Sequence, residues 1–391
     1  MERIKITENI VQLSQEGQLM PACLTAFFGE DGLLLVDAGM SAQADALKET
    51  IRELGYDTPA YIVNTHAHPG NVGGNGAFGE APNIIAHRGV TEQMQSDTHI
   101  LLDLPEAALP DLEIDTDMTL RFNGERVRII PMPGSHTAHD IIVHFVDSGV
   151  ACIGDIYPGR FFTTAVYGGR MENLPARLRR MIELLPEDTK LLYGHQPGIG
   201  KMDDLREMLA ICDETYPLIV EGIQAGKSRE ELEAILPKKW SDVGIPGGQF
   251  GAWLVCLNRD LQASEESEPE RASILRPMFE AQKTGNGEAA AARVRELIGK
   301  GLTIVPRHEF DLLQFAYWLL LTKELPEDAL QVFKLGIELF PDAWNTHDSL
   351  AEAYAVLGQR DLAIAHYNKS LELNPENDNA VTELAKLGVD A

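Results

Sequence analysis

Short apolar runs alternate with amphipathic stretches over the first two hundred residues of the chain. The run 33–36 predicts a strand, and the segment from Ser41 to about Leu54 repeats apolar positions at helical spacing. A second apolar run, 61–63, leads into a turn rich in glycine and histidine. Further strand-like runs lie at 84–86, 127–130, 141–145, 150–153 and 191–193. The pattern predicts a mixed α/β architecture with buried sheets.

The pattern turns helical from about residue 201. Residues 265–270 read EESEPE, an acidic segment that has no apolar side chain and contains a proline. Such a segment is typical of a linker between domains. We therefore expect an α/β domain over 1–215, a helical extension and linker over 216–265, and an all-α domain over 266–391.

The last eighty residues contain a repeat with a period of 34 residues. Small residues recur where two helices would touch, aromatic residues recur where they would fill the gap between helices, and a proline ends each second helix. These positions are Ala329, Phe333 and Pro341, which return as Ala363, Tyr367 and Pro375. The stretch resembles the tetratricopeptide repeat, with copies at about 310–343 and 344–377 and a capping helix at 378–391.

Two repeats are fewer than the three or so that a stack of this kind needs for stability. We expect them to pack against the helices of 271–305, against the α/β domain or against a second subunit. Two roles stay open for them. Either they only stabilise the fold and mediate self-association, or they form a groove that binds a protein partner.

Charge and cysteine content narrow the classes of function. Lys and Arg total 33 against 60 Asp and Glu, a formal net charge of -27, which disfavours nucleic-acid binding because that binding depends on neutralising phosphates. The four cysteines form no CxxC pair, as expected of free thiols in a reducing compartment. No apolar run reaches the roughly 18–20 residues that span a bilayer, and the first residues do not read as a secretion signal. We expect a cytoplasmic protein that does not associate with membranes.

The turn after the run 61–63 reads THAHPGNVGGN over residues 65–75. His66 and His68, one residue apart on a loop at a strand end, can direct both imidazoles at one cation, and neutral imidazole is a preferred ligand of zinc and iron. Other potential ligands follow predicted strands or precede them in turns, where catalytic groups commonly gather. They are Asp37, His136, Asp155 and His195.

The chain resembles the metallo-β-lactamase superfamily across roughly residues 8–215. The matching segments, in order, are LLLVDAG, THAHPGNVGGN, PGSHTAHD, CIGD and YGH. The resemblance implies a four-layer αββα sandwich with a metal in a shallow cleft at one edge of the two sheets. It also implies that His66, His68 and His136 form a first metal site, that Asp155 bridges towards a second site, and that His195 is a ligand of that second site.

The chain departs from the family pattern HxHxDH, because it reads HAHPGN. Gly70 and Asn71 stand where two ligands of the second metal would be, and neither is a good ligand for a soft divalent cation. We therefore expect one ion, zinc before iron, held by His66, His68 and His136 with help from Asp155.

Several residues are candidates for work around that ion. Asp155 would orient the nucleophilic water and act as base, with His139 and Asp140 as alternatives. Asn71 would donate a hydrogen bond to a developing oxyanion. Asp37 is expected to orient a ligand without binding the metal. Tyr157, Arg160 and Tyr167 are candidates for the substrate pocket, and His144 is expected to be structural.

Three functions follow from this reading. The first is a hydrolase that uses a metal-bound hydroxide on a small-molecule ester, lactone, thioester or amide. The second is a mononuclear iron oxygenase-like enzyme with His66, His136 and Asp155 as ligands. The third is a catalytically inactive scaffold that acts through its repeats. Specificity in such folds is set by variable loops, so the sequence leaves the substrate open.

Overall fold

The structure is a computed structural model. It describes the chain except 16–20, 97–103, 160–161, 163–164, 166, 241–243, 246–247, 250, 263–273, 303, 305, 376 and 390–391. Arg160 and the predicted linker segment 265–270 lie outside the described residues. The chain divides into two compact units, one made of Met1–Gln95 with Asp103–Ser267 and the other of Ser96–Leu102 with Glu268–Ala391.

The first unit contains a seven-stranded sheet whose strands lie in chain order. Strands β1 to β4 pair antiparallel, and β4 to β7 pair parallel. The strands are β1 (Glu2–Lys5), β2 (Ile10–Gln15), β3 (Ala22–Gly29), β4 (Gly32–Val36), β5 (Tyr61–Val63), β6 (Asn83–His87) and β7 (Leu112–Ile114).

A five-stranded sheet faces it, in the order β12-β11-β10-β9-β8. Its pairs are antiparallel except β11 with β12, which is parallel. The strands are β8 (Met118–Phe122), β9 (Glu125–Pro131), β10 (Ile141–Phe145), β11 (Val150–Cys152) and β12 (Lys190–Leu192). A short hairpin follows further along the chain, with β13 (Gly244–Ile245) and β14 (Gly248–Gln249).

Alternation along the strands builds the layers of this unit. In β4, Leu34 and Val36 belong to the core between the two sheets, whereas Leu33 and Leu35 belong to the core under α1. On the second sheet, Ile142 of β10 joins the core under α4 and α5. The helices are α1 (Ala44–Glu53), α2 (Pro69–Val72), α3 (Arg88–Gln95), α4 (Leu174–Leu184), α5 (Met202–Gln224), α6 (Arg229–Ile235) and α7 (Gly251–Gln262). The layers therefore run helix, sheet, sheet, helix, and the predicted four-layer αββα sandwich is confirmed.

The second unit is helical over its described residues and has one apolar core. The repeat positions lie in that core, since Ala329 and Ala363 are 0% exposed and Phe333 and Tyr367 are 1% exposed. Its helices are α8 (Leu275–Thr284), α9 (Gly287–Gly299), α10 (Pro306–Tyr317), α11 (Pro326–Leu339), α12 (Trp344–Val356), α13 (Arg360–Leu373) and α14 (Asp378–Lys386), with a π-helical turn at Trp318–Thr322.

Helices outside the two repeats complete this core. Phe279 of α8, Val294 of α9 and Leu384 of α14 belong to the same buried cluster as the repeat residues. Neighbouring helices of the same unit therefore supply at least part of the apolar packing that a third repeat would otherwise give. Across the described residues, no helix combines the length and apolarity that crossing a membrane requires.

Candidate metal centre

The candidate ligands reach one edge of the sandwich because strands of both sheets end there. His66 and His68 lie between the end of β5 and the start of α2, and His136 lies in the turn that joins β9 to β10. Asp155 lies just beyond β11 and His195 just beyond β12. Since β11 and β12 are parallel, both of their carboxyl ends point the same way.

Three imidazole nitrogens converge on one point at this edge. His66 Nε2 lies 2.9 Å from His68 Nδ1, and His136 Nε2 lies 3.2 Å from the first and 3.0 Å from the second. The three rings stand at steep angles to one another, between 72° and 85°. Four ligands bonded to zinc at about 2.0–2.1 Å in a tetrahedron lie roughly 3.3 Å apart, so the three nitrogens fit such an ion.

A carboxylate completes the cluster. Asp155 Oδ2 lies 3.3 Å from His66 Nε2 and 3.7 Å from His136 Nε2. The ligand atoms of His66, His68, His136 and Asp155 all lie within 4.8 Å of one another, and within the described residues they are the one group of this kind. The donor set of three imidazoles and one carboxylate suits zinc or iron.

Protonation equilibria differ among the members of the cluster. Burial lowers the pKa of His66, but Asp155 outweighs burial, and the net pKa lies above the usual value. Burial, with His136 and His66 close by, holds the pKa of His68 well below its usual value, so its ring stays neutral. Burial raises the pKa of Asp155, but His195 and His66 outweigh it, and the net pKa lies well below the usual value. A neutral imidazole and an ionised carboxylate are the forms that bind metals.

His195 has an acceptor at each ring nitrogen. Its Nε2 lies 2.9 Å from Asp155 Oδ2, and its Nδ1 lies 2.7 Å from the carbonyl oxygen of Pro21. Burial lowers its pKa, but Asp155 outweighs burial and raises it to about 9. His195 lies outside the group of four, and its predicted role as ligand of a second metal stays a prediction.

The two positions that depart from the family pattern have different surroundings. A Cβ placed on Gly70 would lie 3.8 Å from Ala22 Cβ and 3.9 Å from Met40 Sδ, so apolar atoms border this position. Asn71 is 7% exposed, and its side-chain Nδ2 donates to Asp37 Oδ2 (3.0 Å) and to Thr65 Oγ1 (3.2 Å). The predicted contact of Asn71 with an oxyanion stays a prediction.

Asp37 is connected to His66 through hydrogen bonds to Thr65. Its Oδ1 accepts from the Thr65 backbone N–H and its Oδ2 from the Thr65 hydroxyl, both at 2.8 Å. The hydroxyl oxygen lies 3.0 Å from His66 Nδ1. Asp37 has a φ of 62°, a left-handed conformation that is uncommon for a residue with a side chain, and burial raises its pKa to about 6. The sequence reasoning missed Thr65, although its position directly before the HxH pair was a signal.

His139 and Asp140 support the loops of the centre. His139 Nε2 accepts from the Ala67 backbone N–H at 3.2 Å, between the two histidines of the first pair. Asp140 accepts from the backbone N–H (2.9 Å) and hydroxyl (2.6 Å) of Thr137. Neither contact points to the base role considered for these residues.

The candidate pocket residues occupy different places. The Tyr167 ring lies 5.3 Å from the His68 ring and stacks on His139 at 6.4 Å. Its φ of 49° is again left-handed. Tyr157 is buried and meets Tyr193 edge-on at 5.2 Å. His144 is buried in β10, and both of its ring nitrogens lack a hydrogen-bond partner among the described residues.

Comparison with known proteins places both parts of the chain. Residues 23–195 match the family described as the metallo-beta-lactamase superfamily, and residues 344–377 match the tetratricopeptide repeat. The first part of the chain is therefore a metallo-β-lactamase superfamily domain, as the sequence motifs predicted. The second part contains at least one tetratricopeptide repeat, which confirms the copy predicted at 344–377.

One curated relative and several solved structures resemble the first domain. The "Probable metallo-hydrolase YqgX" of Bacillus subtilis (strain 168) is 26% identical over an alignment of 187 residues that covers 45% of this chain and 87% of the relative. A metallo-β-lactamase from Pontibacter korlensis is 17% identical, with a TM-score of 0.46 over 54% of this chain and 98% of that one. One from Erythrobacter litoralis is 19% identical, with a TM-score of 0.44 over 54% and 96%.

Proposed function

We propose that the first domain is a metallo-hydrolase that works with one metal ion, zinc before iron. The ion would be held by His66, His68 and His136 with help from Asp155. The observation that carries the proposal is the convergence of three ring nitrogens within 3.2 Å of one another. Zinc bound in such a set lowers the pKa of a water molecule towards 7 and polarises a carbonyl group.

One ion, and not two, fits the surroundings of the second position. Gly70 supplies no ligand atom, and the amide of Asn71 donates to Asp37 and Thr65. Asp155 and His195 are then the family ligands that remain for a second ion, and His195 lies outside the group of four, so we expect too few ligands there for tight binding.

Asp155 would orient the nucleophilic water. Its Oδ2 accepts from His195, whereas its Oδ1 is buried without a hydrogen-bond partner among the described residues. The depressed pKa keeps this carboxylate ionised at neutral pH, the form that can accept a hydrogen bond from a water molecule and so orient it.

We propose that the substrate is a small molecule with an ester, lactone, thioester or amide bond, all of which are attacked at a carbonyl carbon. The relative named a probable metallo-hydrolase supports hydrolysis without pointing to one of these bonds. A panel with one chromogenic substrate of each kind tests the class. Turnover that needs the metal and is lost with His66→Ala supports the proposal, whereas no turnover of any kind of bond argues against it.

A second candidate is iron-dependent oxygen chemistry. Asp155 Oδ2 lies 3.3 Å and 3.7 Å from the Nε2 atoms of His66 and His136, so these residues also offer a set of two histidines and one carboxylate. Metal analysis of protein purified without added metal separates the candidates. Zinc favours hydrolysis, iron favours oxygen chemistry, and no metal favours a scaffold that acts through its repeats.

The stoichiometry of the metal gives the first prediction. Protein dialysed against a mild chelator is expected to retain close to one equivalent by elemental analysis. His66→Ala and His136→Ala should remove it, because each deletes a converging nitrogen, whereas His195→Ala should retain most of it. His87→Ala, a histidine outside the cluster, is the matched control. Two retained equivalents, or equal loss with His195→Ala, would contradict a single three-histidine site.

The proposal also covers the partner of the helical unit and the cellular compartment of the protein. The tetratricopeptide repeat suggests a protein partner or a second copy of the chain as ligand of the helical unit. The four cysteines are buried and form no disulfide bond. Reduced thiols suit the reducing cytoplasm, where we propose that the enzyme works.

A further inference from the structure

We propose that Asn71 is a positioning residue that sets the ring of His66 for the metal through Thr65 and Asp37. The inference rests on the proposed metal site and adds a role for a residue that stands at a ligand position of the family pattern. Asn71 would then serve the first metal site, and would not touch the substrate.

The contacts of the amide fix its orientation. An ionised carboxylate only accepts hydrogen bonds, so the atom that lies 3.0 Å from Asp37 Oδ2 must be the Asn71 nitrogen. The same nitrogen lies 3.2 Å from Thr65 Oγ1. An amide nitrogen is a donor only, so both contacts are hydrogen bonds that Asn71 donates. The group is buried, so no bulk water competes for them.

The order of donors then determines the tautomer of His66. The single hydroxyl hydrogen of Thr65 goes to Asp37 Oδ2, 2.8 Å away. The hydroxyl oxygen can therefore only accept from its other neighbours, the Asn71 amide and His66 Nδ1. A metal-bound imidazole is neutral, so the one hydrogen of the His66 ring would then lie on Nδ1 and leave the Nε2 lone pair for the metal.

The backbone of Asn71 is held independently of its side chain. Its carbonyl oxygen accepts from the Ala38 backbone N–H (2.7 Å) and from Asn64 Nδ2 (3.0 Å). Its own N–H donates to the His68 carbonyl oxygen at 2.9 Å. A change of the side chain alone therefore leaves these three bonds in place, and its effect can be read as loss of the amide.

Two substitutions test the role, with a matched control. Asn71→Leu removes both donors at similar volume, and Asn71→Ser keeps one donor. Asn75→Leu is the control, because Asn75 is a neighbouring buried asparagine that forms hydrogen bonds with Asn64 and the Ala108 carbonyl oxygen. Among the described residues, its side chain forms no hydrogen bond with Asp37 or Thr65. The full-length proteins are compared by the zinc dissociation constant, measured by chelator competition, and by the visible absorption of the Co²⁺-loaded form.

We expect Asn71→Leu to weaken zinc binding on the order of 10–100-fold, the usual effect of removing a group that orients a ligand. Its Co²⁺ spectrum should change, and Asn71→Ser should fall between it and the unmodified protein. Asn75→Leu should lower the melting temperature and keep both metal readouts.

Three outcomes would overturn the inference. One is unchanged zinc affinity and Co²⁺ spectrum in Asn71→Leu, which would leave substrate contact as the role. Another is an equal loss of affinity in Asn75→Leu, which would make the effect one of folding. If Asn71→Leu does not fold, Asn71→Ser decides, and a metal affinity equal to that of the unmodified protein rejects the role. Failure of the unmodified protein to bind Zn²⁺ or Co²⁺ would instead reject the proposed function.

Discussion

At the scale of residues, the candidate metal centre is bordered by side chains that lie outside the group of four potential ligands. Asp37, Thr65 and Asn71 form hydrogen bonds next to His66, and His139 accepts from the Ala67 amide between the two histidines of the pair. Removing a group that orients a metal ligand typically costs on the order of 10–100-fold in metal affinity.

The double change Gly70→Asp with Asn71→His restores the family pattern HxHxDH. It tests whether the missing ligands at these two positions reflect a loss of function or an adaptation to one metal. We expect the variant to bind its first metal more weakly, because the Asn71 amide is gone, and to hydrolyse its best panel substrate more slowly. Zinc titration and steady-state kinetics on the same preparation measure both effects. Gly70→Asp alone is the control that keeps Asn71. If the double variant binds a second metal and is also more active, the native loop has lost function relative to the family pattern.

Replacing either of two buried histidines, His139 and His144, should change the free energy of unfolding by different amounts. His139→Leu leaves the Ala67 N–H without its acceptor, which costs about 1–3 kcal/mol of unfolding free energy. His144→Leu removes ring nitrogens that have no hydrogen-bond partner among the described residues, so we expect a change within about 1 kcal/mol or a gain. Urea unfolding of both variants and of the unmodified protein measures these free-energy differences. A larger loss in His144→Leu than in His139→Leu would contradict the assignment.

At the scale of elements, apolar runs located the strands that are buried on both faces. The runs 33–36, 61–63 and 141–145 match β4, β5 and β10. Strands β1, β2 and β3 were not singled out, since β2 reads IVQLSQ and buries Gln12, Ser14 and Gln15 among its apolar residues. Hydropathy cannot distinguish a buried polar side chain from an exposed one, because its partners are set by the fold.

The start of the first long helix shows the same limit. The segment from Ser41 to about Leu54 was expected to form one helix, but Ser41 opens a 3₁₀ turn, and α1 begins at Ala44. At the metal centre, the resemblance to the family implied that His66, His68 and His136 meet, and their ring nitrogens do converge. The acceptors on both sides of His195 could not be predicted, because Pro21 is 174 residues away in the chain.

Helices α12 and α13 contain a pair of histidines that should make the second unit sensitive to pH. His347 Nε2 lies 3.0 Å from the Pro341 carbonyl oxygen, and His347 Nδ1 lies 3.1 Å from His366 Nδ1. Burial and the neighbouring His347 lower the pKa of His366 below its ordinary value of 6.5. The unfolded chain therefore binds more protons than the folded one between the two pKa values, and stability falls as the pH drops below about 6.5.

Amide hydrogen exchange of the full chain at pH 7.5 and 5.5 measures this response in α12 and α13. His366→Gln should flatten the pH dependence of their opening free energy, after correction for the intrinsic exchange rate. His87→Gln, whose histidine belongs to the first unit and also has a lowered pKa, is the control and should not change it. An identical pH dependence in the native chain and in His366→Gln would refute the prediction.

At the scale of the whole molecule, the chain joins a metallo-β-lactamase superfamily domain to a helical unit with a tetratricopeptide repeat. The motifs of the sequence carried both assignments, because each is a set of residues at fixed spacing. The helices that complete the repeat core are different. Nothing in the spacing of α8 and α9 marks them as partners of the repeats, and only the shared apolar cluster identifies them.

The two acceptors of His195 also bear on how this protein could change over evolutionary time. Side chains at positions 70 and 71 that could bind a metal would not by themselves complete a second site, because the Nε2 atom of His195 would also have to exchange its contact with Asp155 for a bond to the cation. Under the proposed one-metal function, a change at either position is therefore expected to alter the first site before it creates a second one.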